Sequence, residues 1–471
     1  MESPAPREAS RIQLTREIGV FIADMRFDAI PASAVAMIRN GFTDCAAVTI
    51  LGRDTQVVRI LRSVLDLGGG GGEARLCFGA DRAPAPQAAL VNGAAAHALD
   101  YDDIGLNEIQ PTHPSAVLVP AILAEAEALG RSGREALAAY ATGFEVWGEI
   151  ASRERKPYQV KGWHPTATFG AIAAAAAAAK LHRLDAPKAV HAIGIAASQA
   201  GGLVANFGSM TKPFHAGRAA SVGVLSARLA QAGMTAAADA LEHMQGFLNA
   251  MSPAGEVDLE TPPRFGKHSW LLTDGLGFKL YPMCYGAHRA LDGVIALARE
   301  HDVSPASVAD VNVEAAPVQL ANLVHHDPQT ALEARFSMEF AVAMAFVARR
   351  ATLAEVEDSF VRRPDVQALM KKVRITIIPQ PDPGRHRVAP EDGVIVTLND
   401  GARIERRFDL PRGHSRQPVG AGALWIKFAD CTRGAMLEAE ARRLFDLLQR
   451  LETLDSMAEL PLARLARVGS P

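Results

Sequence analysis

Apolar residues recur at helical spacing through almost all of residues 10–271, as in 117–129 (VLVPAILAEAEAL) and 136–150 (ALAAYATGFEVWGEI), and strand signals are nearly absent there. The N-terminal stretch intersperses Arg11, Arg16, Glu17, Asp24 and Arg26 among its apolar positions, which predicts an amphipathic first helix behind a short loose tail. Residues 167–179 (ATFGAIAAAAAAA) are apolar on every side but number only about 13, short of the roughly 20 that span a bilayer. They predict a buried helix whose alanines let other helices approach closely. The glycine run 68–72 lacks the spacing of a phosphate-binding loop and reads as a turn.

Past residue 271 the period changes. Strands are predicted at 308–315 (VADVNVEA), 373–378 (VRITII) and 394–398 (VIVTL), the last passing through Asn399-Asp400-Gly401 into 403–410 (RIERRFDL), a hairpin signature. Helical spacing resumes after Ala421 and runs through 437–451 (LEAEARRLFDLLQRL). The expectation is a mainly α protein: a large all-helical domain (1–275) completed by the C-terminus (415–471), with an inserted, smaller α+β lid domain (276–414) and a ligand site in the cleft.

Composition narrows the function. Among 471 residues, 49 Lys+Arg against 52 Asp+Glu leave a net charge of −3, with no broad cationic surface for nucleic acid. At 49% hydrophobic and 21% charged the balance is that of an ordinary soluble globular protein, with no membrane partner expected. Four scattered cysteines with no CxxC pair predict neither a disulfide scaffold nor a zinc or iron–sulfur centre, and fit a reducing cytoplasm.

Four segments place ionisable residues in apolar surroundings, where burial tunes their pKa values. In 97–103 (HALDYDD) and 112–115 (THPS) a helix ends in carboxylates and a loop presents His113; the structural alternative is an exposed helix end and a capping histidine. In 162–166 (GWHPT) His164 precedes the alanine-rich helix, a position that suits a neutral histidine base, although His164 and Thr166 there would also serve as plain helix caps. In 206–217 (NFGSMTKPFHAG) Lys212 and His215 lie between apolar helices, where Lys212 either meets a substrate carboxylate or snorkels to the surface. In 279–288 (KLYPMCYGAH) Lys279, Tyr281, Cys284 and His288 sit at the change of texture, with Cys284 by itself also readable as a small core residue. No HExxH, no GxSxG and no zinc-ligand spacing accompanies them, so the chemistry left is an acid–base site without a metal, made of histidines, a lysine and an aspartate.

At these same residues the chain resembles the MmgE/PrpD family of 2-methylcitrate dehydratases, cis-aconitate decarboxylases and iminodisuccinate epimerases. The likeness rests on 92–103 (NGAAAHALDYDD), THPS, GWHPT, 206–215 (NFGSMTKPFH), 281–288 and 333–340 (EARFSMEF), and covers nearly the whole chain. It implies a helical domain with an α+β lid, a homodimer, no cofactor, and an active site lined by Asp100, His113, His164 and Lys212, with His288 from the lid. Where the decarboxylases have threonine this chain has Ile104, and 320–328 (LANLVHHDP) holds no tyrosine like theirs, so decarboxylation ranks below elimination. The run from Lys212 to His215 and the pair Cys284-Tyr285 resemble the epimerase branch more than the best-known dehydratases.

The resulting expectation is a lyase acting on a small di- or tricarboxylate: His164 or His113 as base, Lys212 on a substrate carboxylate, Asp100 orienting a histidine or setting its charge, and His288 as the opposing acid. His215, Lys279, Tyr281, Cys284 and Thr166 complete the substrate-binding set. An epimerase using the same residues and a non-catalytic carboxylate-binding protein are the alternatives.

Overall fold

The computed structural model describes residues 12–67, 71–106, 110–265, 269–379 and 391–463. The expected N-terminal tail, within residues 1–11, and residues 68–70 of the glycine run lie outside them. The chain divides into two compact units: Met1–Ala98, Asp103–Leu276 and Thr432–Pro471 form the first, Leu99–Asp102 and Gly277–Cys431 the second.

The first unit is helical. Around its centre lie α1 (Ala85–His97), α2 (Ser115–Leu129), α3 (Pro165–Leu181) and α4 (Thr211–Gln231). In α3 every residue except Lys180 is buried, as the alanine run predicts. Small residues are required because the backbones touch. A Cβ on Gly223 of α4 would stand 2.3 Å from the Cβ of Ala174 in α3, and one on Gly217 would stand 2.1 Å from the carbonyl oxygen of Leu90 in α1. Any side chain at either position forces two helices apart. Lys180 donates from Nζ to the carbonyls of Ile22 and Ala23 at 3.0 and 3.1 Å, closing the C-terminal end of the first helix, Leu14–Asp24. Among the described residues one helix, Ala32–Gly52, is long and apolar enough to cross a membrane; 72% of its most apolar window is buried inside the unit, which makes it a core helix. Two short paired strands, Ala74–Arg75 and Arg82–Ala83, interrupt the helical pattern, too short to carry a periodic signal.

The second unit contains a four-stranded mixed sheet: β1 (Val308–Ala315), β2 (Val373–Ile377), β3 (Asp392–Leu398) and β4 (Arg403–Phe408) in the order β2-β1-β3-β4. β1 runs parallel to β2 and antiparallel to β3, and β3 to β4 is the expected hairpin, with Gly401 at φ 86° in its turn. Val308 and, past a register shift, Val311 and Val313 point inward from β1 to join the core with Leu291, Val294 and Ile295 of α5 (His288–Glu300) and Phe340, Met344 and Phe346 of the helix Met338–Ala348. The helix α6 (Ala421–Thr432) closes this unit, and Glu438–Leu448 returns to the first.

Candidate active site

In the first unit, four histidines and a lysine come together from the ends of three helices and the loop before a fourth. His164 stands at the N-terminus of α3, its backbone fixed by its N–H to the carbonyl of Gly202 at 3.0 Å, and its ring is 2% exposed. Its Nδ1 faces the Nδ1 of His215 on α4 at 3.2 Å. Gly202 at φ 146° leaves room for that ring: a Cβ there would approach Cγ and Nδ1 of His215 to 3.3 Å and the Cβ of Ala167 to 2.8 Å. Phe207 meets the His164 ring edge-on at 4.8 Å, and Nζ of Lys212, in the first turn of α4, lies 5.3 Å from the Phe207 ring centre. His97, at the end of α1, has its ring 4.5 Å from that of His113 and 6.1 Å from that of His164.

Burial first, and then the neighbouring His97, Lys212, His113 and His215, hold the His164 pKa well below its usual value. Burial and Lys212 push that of His215 down as well. Both rings are therefore neutral at pH 7. Two facing Nδ1 atoms then share one proton, so one ring carries it on Nδ1 and the other on Nε2.

The THPS loop is held by two hydrogen bonds of His113. The hydroxyl of Thr166 accepts the His113 amide at 3.2 Å, and Nδ1 of His113 lies 2.9 Å from the carbonyl of Asp103. Thr166 thus orients the loop that carries His113. Asp103 is buried and accepts from the backbone N–H of Ser115 at 3.1 Å and from the Ser115 hydroxyl, which ties it to the first residue of α2.

The remaining candidates belong to the second unit. Lys279 is 2% exposed, and its Nζ reaches the carbonyl and Oδ2 of Asp100 at 2.7 and 2.9 Å. Burial works against its charge, but Asp100 and Asp102 outweigh burial and raise its pKa. The Asp100 carboxylate, expected to serve a histidine, is paired with this lysine. Tyr281 donates to Asp292, whose other oxygen accepts the Arg412 amide at 2.7 Å. Cys284 is buried and donates its backbone N–H to the carbonyl of Arg335 at 2.9 Å. His288 is fully buried with Nε2 3.2 Å from the carbonyl of Met283; burial and then Lys279 push its pKa down to about 3. The ring is neutral at pH 7, so Nε2 carries the proton donated to Met283.

Three participants were not singled out in the sequence. His97 was visible within HALDYDD but was read for its carboxylates. Arg335 and Lys427 bind backbone carbonyls of residues 99–101, and Lys427 stood out only as one cation in the apolar helical stretch AGALWIKFAD.

Buried histidines beside a lysine are the side chains that acid–base chemistry on carboxylates uses, and comparison supplies the family. The MmgE/PrpD N-terminal domain matches residues 16–260 and the C-terminal domain residues 281–453, and the chain belongs to the MmgE/PrpD family. It is 31% identical over 392 residues to the cis-aconitate decarboxylase of Mus musculus, covering 80% of this chain and 78% of that protein. The cis-aconitate decarboxylase of Homo sapiens is 30% identical over 389 residues (80% and 79%), and that of Aspergillus terreus (strain NIH 2624 / FGSC A1156) 26% over 402 residues (79% and 80%).

Proposed function

We propose that this chain is a lyase that moves a proton at the carbon next to a carboxylate of a small di- or tricarboxylate and eliminates water. The observation that carries the reading is His164: a buried imidazole kept neutral by its surroundings, beside Lys212. A neutral imidazole accepts a proton, and an ammonium group nearby attracts the substrate anion and stabilises the enediolate that forms when the C–H electron pair moves onto the carboxylate. That pair then forms the C=C bond as the C–O bond breaks. Hydroxide leaves as water with the proton that His164 took up, which returns the imidazole to its neutral form.

A second reading, decarboxylation of cis-aconitate, is favoured by the names of the relatives. There the C–C bond to carbon dioxide breaks, its electron pair passes to the allylic carbon, and a histidine protonates that carbon. Ile104 and the absence of tyrosine from 320–328 weigh for elimination.

The test is incubation with 2-methylcitrate, citrate, cis-aconitate, tartrate and iminodisuccinate in D₂O, read by mass. Loss of water supports the first reading and loss of carbon dioxide the second. Deuterium in recovered isomer with neither loss makes the protein an epimerase. No turnover of any of them, with carboxylate binding retained, makes it a binding protein.

A further inference from the structure

Residues 99–101 present three successive backbone carbonyls, and each is bound by a cation from a different part of the second unit. Nη1 of Arg335 donates to Leu99 at 2.8 Å, Nζ of Lys279 to Asp100 at 2.7 Å, and Nζ of Lys427 on α6 to Tyr101 at 2.6 Å. Lys427 is 3% exposed and also lies 4.1 Å from the centre of the Tyr101 ring, whose hydroxyl donates to the carbonyl of Leu280 at 3.3 Å. Satisfying a buried carbonyl needs only a neutral N–H, and burying an ammonium for the purpose carries a far larger desolvation cost. Three cations on three adjacent carbonyls therefore call for a reason other than hydrogen-bond satisfaction.

The backbone between them supplies one. Asp100 has φ 52°, the left-handed region that a residue with a side chain enters only when its surroundings fix it there. In that conformation its carbonyl and its Oδ2 both face Lys279. Relaxation of Asp100 to negative φ would swing the carboxylate off the lysine. Arg335 and Lys427 hold the carbonyls on either side of it.

We infer that Lys427 is a positioning residue: with Arg335 it clamps the 99–101 backbone so that Asp100 keeps its left-handed conformation and its carboxylate stays on Lys279. The inference rests on the lyase reading for its effect on turnover, but the clamp itself is measurable without a substrate.

The experiment compares the full-length protein with Lys427→Met, Lys427→Arg and Arg335→Gln by hydrogen–deuterium exchange, thermal melting and steady-state kinetics. In Lys427→Met, exchange rises in peptides covering 98–103 and stays unchanged elsewhere. Its kcat falls about 100-fold while KM moves less than about threefold, as for misplacement of a site group. Lys427→Arg, which keeps a cation for Tyr101, regains kcat to within about tenfold of the parent, and Arg335→Gln repeats the Lys427→Met pattern more weakly. Unchanged exchange at 98–103 overturns the clamp, and so does a rise spread over the whole chain. Local loosening with unchanged kcat overturns the positioning role. If Lys427→Met does not fold, Arg335→Gln decides by the same criteria. A parent protein that turns over none of the panel defeats the lyase reading alone, and the exchange result then still decides the clamp.

Discussion

The facing histidines of the first unit and Lys279 of the second answer the same problem, titratable side chains taken out of water, in opposite ways. In the first unit His164 and His215 give up charge: burial, a lysine and other histidines keep their rings neutral. In the second unit Lys279 keeps its charge, because Asp100 and Asp102 compensate for burial. A neutral ring has a lone pair to offer a substrate, whereas a paired ammonium is committed to geometry. On the proposed reading, proton transfer falls to the histidines and the shaping of residues 99–102 to the cations.

The most direct way to break that division is His164→Gln, which keeps the size and polarity of the side chain but not its basicity. The expected loss in kcat is about 100- to 10,000-fold with the melting temperature little changed, measured on whichever panel substrate the parent turns over. A variant with near-parental kcat would move the base elsewhere.

Lys279→Met probes the other side through stability. Removing the lysine takes the nearest compensating charge from a buried carboxylate, and urea denaturation should show a loss of about 3–5 kcal/mol. Adding Asp100→Asn should restore most of it, since both charges are then gone. If the double variant is as unstable as the single one, the pair is not what Lys279 contributes.

The same comparison shows what was legible in the chain. Strand β1 was found at its observed bounds because Val311, Val313 and Ala315 alternate with Asn312 and Glu314, and the hairpin because Asn399-Asp400-Gly401 fits a tight turn. The buried α3 followed from alanines that permit helix contact at Ala174. Assignment of Leu99–Asp102 to the second unit left no periodic trace. That segment sits inside a helical stretch, and its cationic partners lie 179, 236 and 326 residues further along the chain. Spacing reports a local period, whereas a bond across such a separation has none. The candidate residues were legible as polar groups among apolar ones, but their division between two groups was not.

His288 gives a smaller effect with a definite sign. Its pKa is about 3 in the folded protein against 6.5 for the free side chain, so below pH 6.5 the unfolded chain binds a proton that the folded one refuses. Its contribution is fully present above pH 6.5 and is lost as pH falls towards 3, at about 1.4 kcal/mol per pH unit. Between pH 7 and pH 5 the parent should lose about 2 kcal/mol more stability than His288→Gln. Equal losses would mean that the ring is protonated in the folded state, in contrast to the neutral histidines of the first unit.

The smallest effect tests how the first group works internally. Only one of the two facing Nδ1 atoms carries a proton, and which one decides the role of His164. With the proton on its own Nδ1, His164 offers a lone pair at Nε2 and acts as base; with the proton on His215, it presents Nε2–H and acts as acid. His215→Gln keeps a carbonyl that accepts from His164 Nδ1, fixing the base form, and removes one of the neighbours that depress the His164 pKa. The acidic limb of kcat/KM should therefore move to higher pH, with kcat within about tenfold of the parent. His215→Phe offers no acceptor and should cost about tenfold more, because the tautomer is no longer set. A glutamine variant whose pH profile superimposes on that of the parent would show that His215 neither orients nor repels the His164 ring, leaving it a binding residue for the substrate.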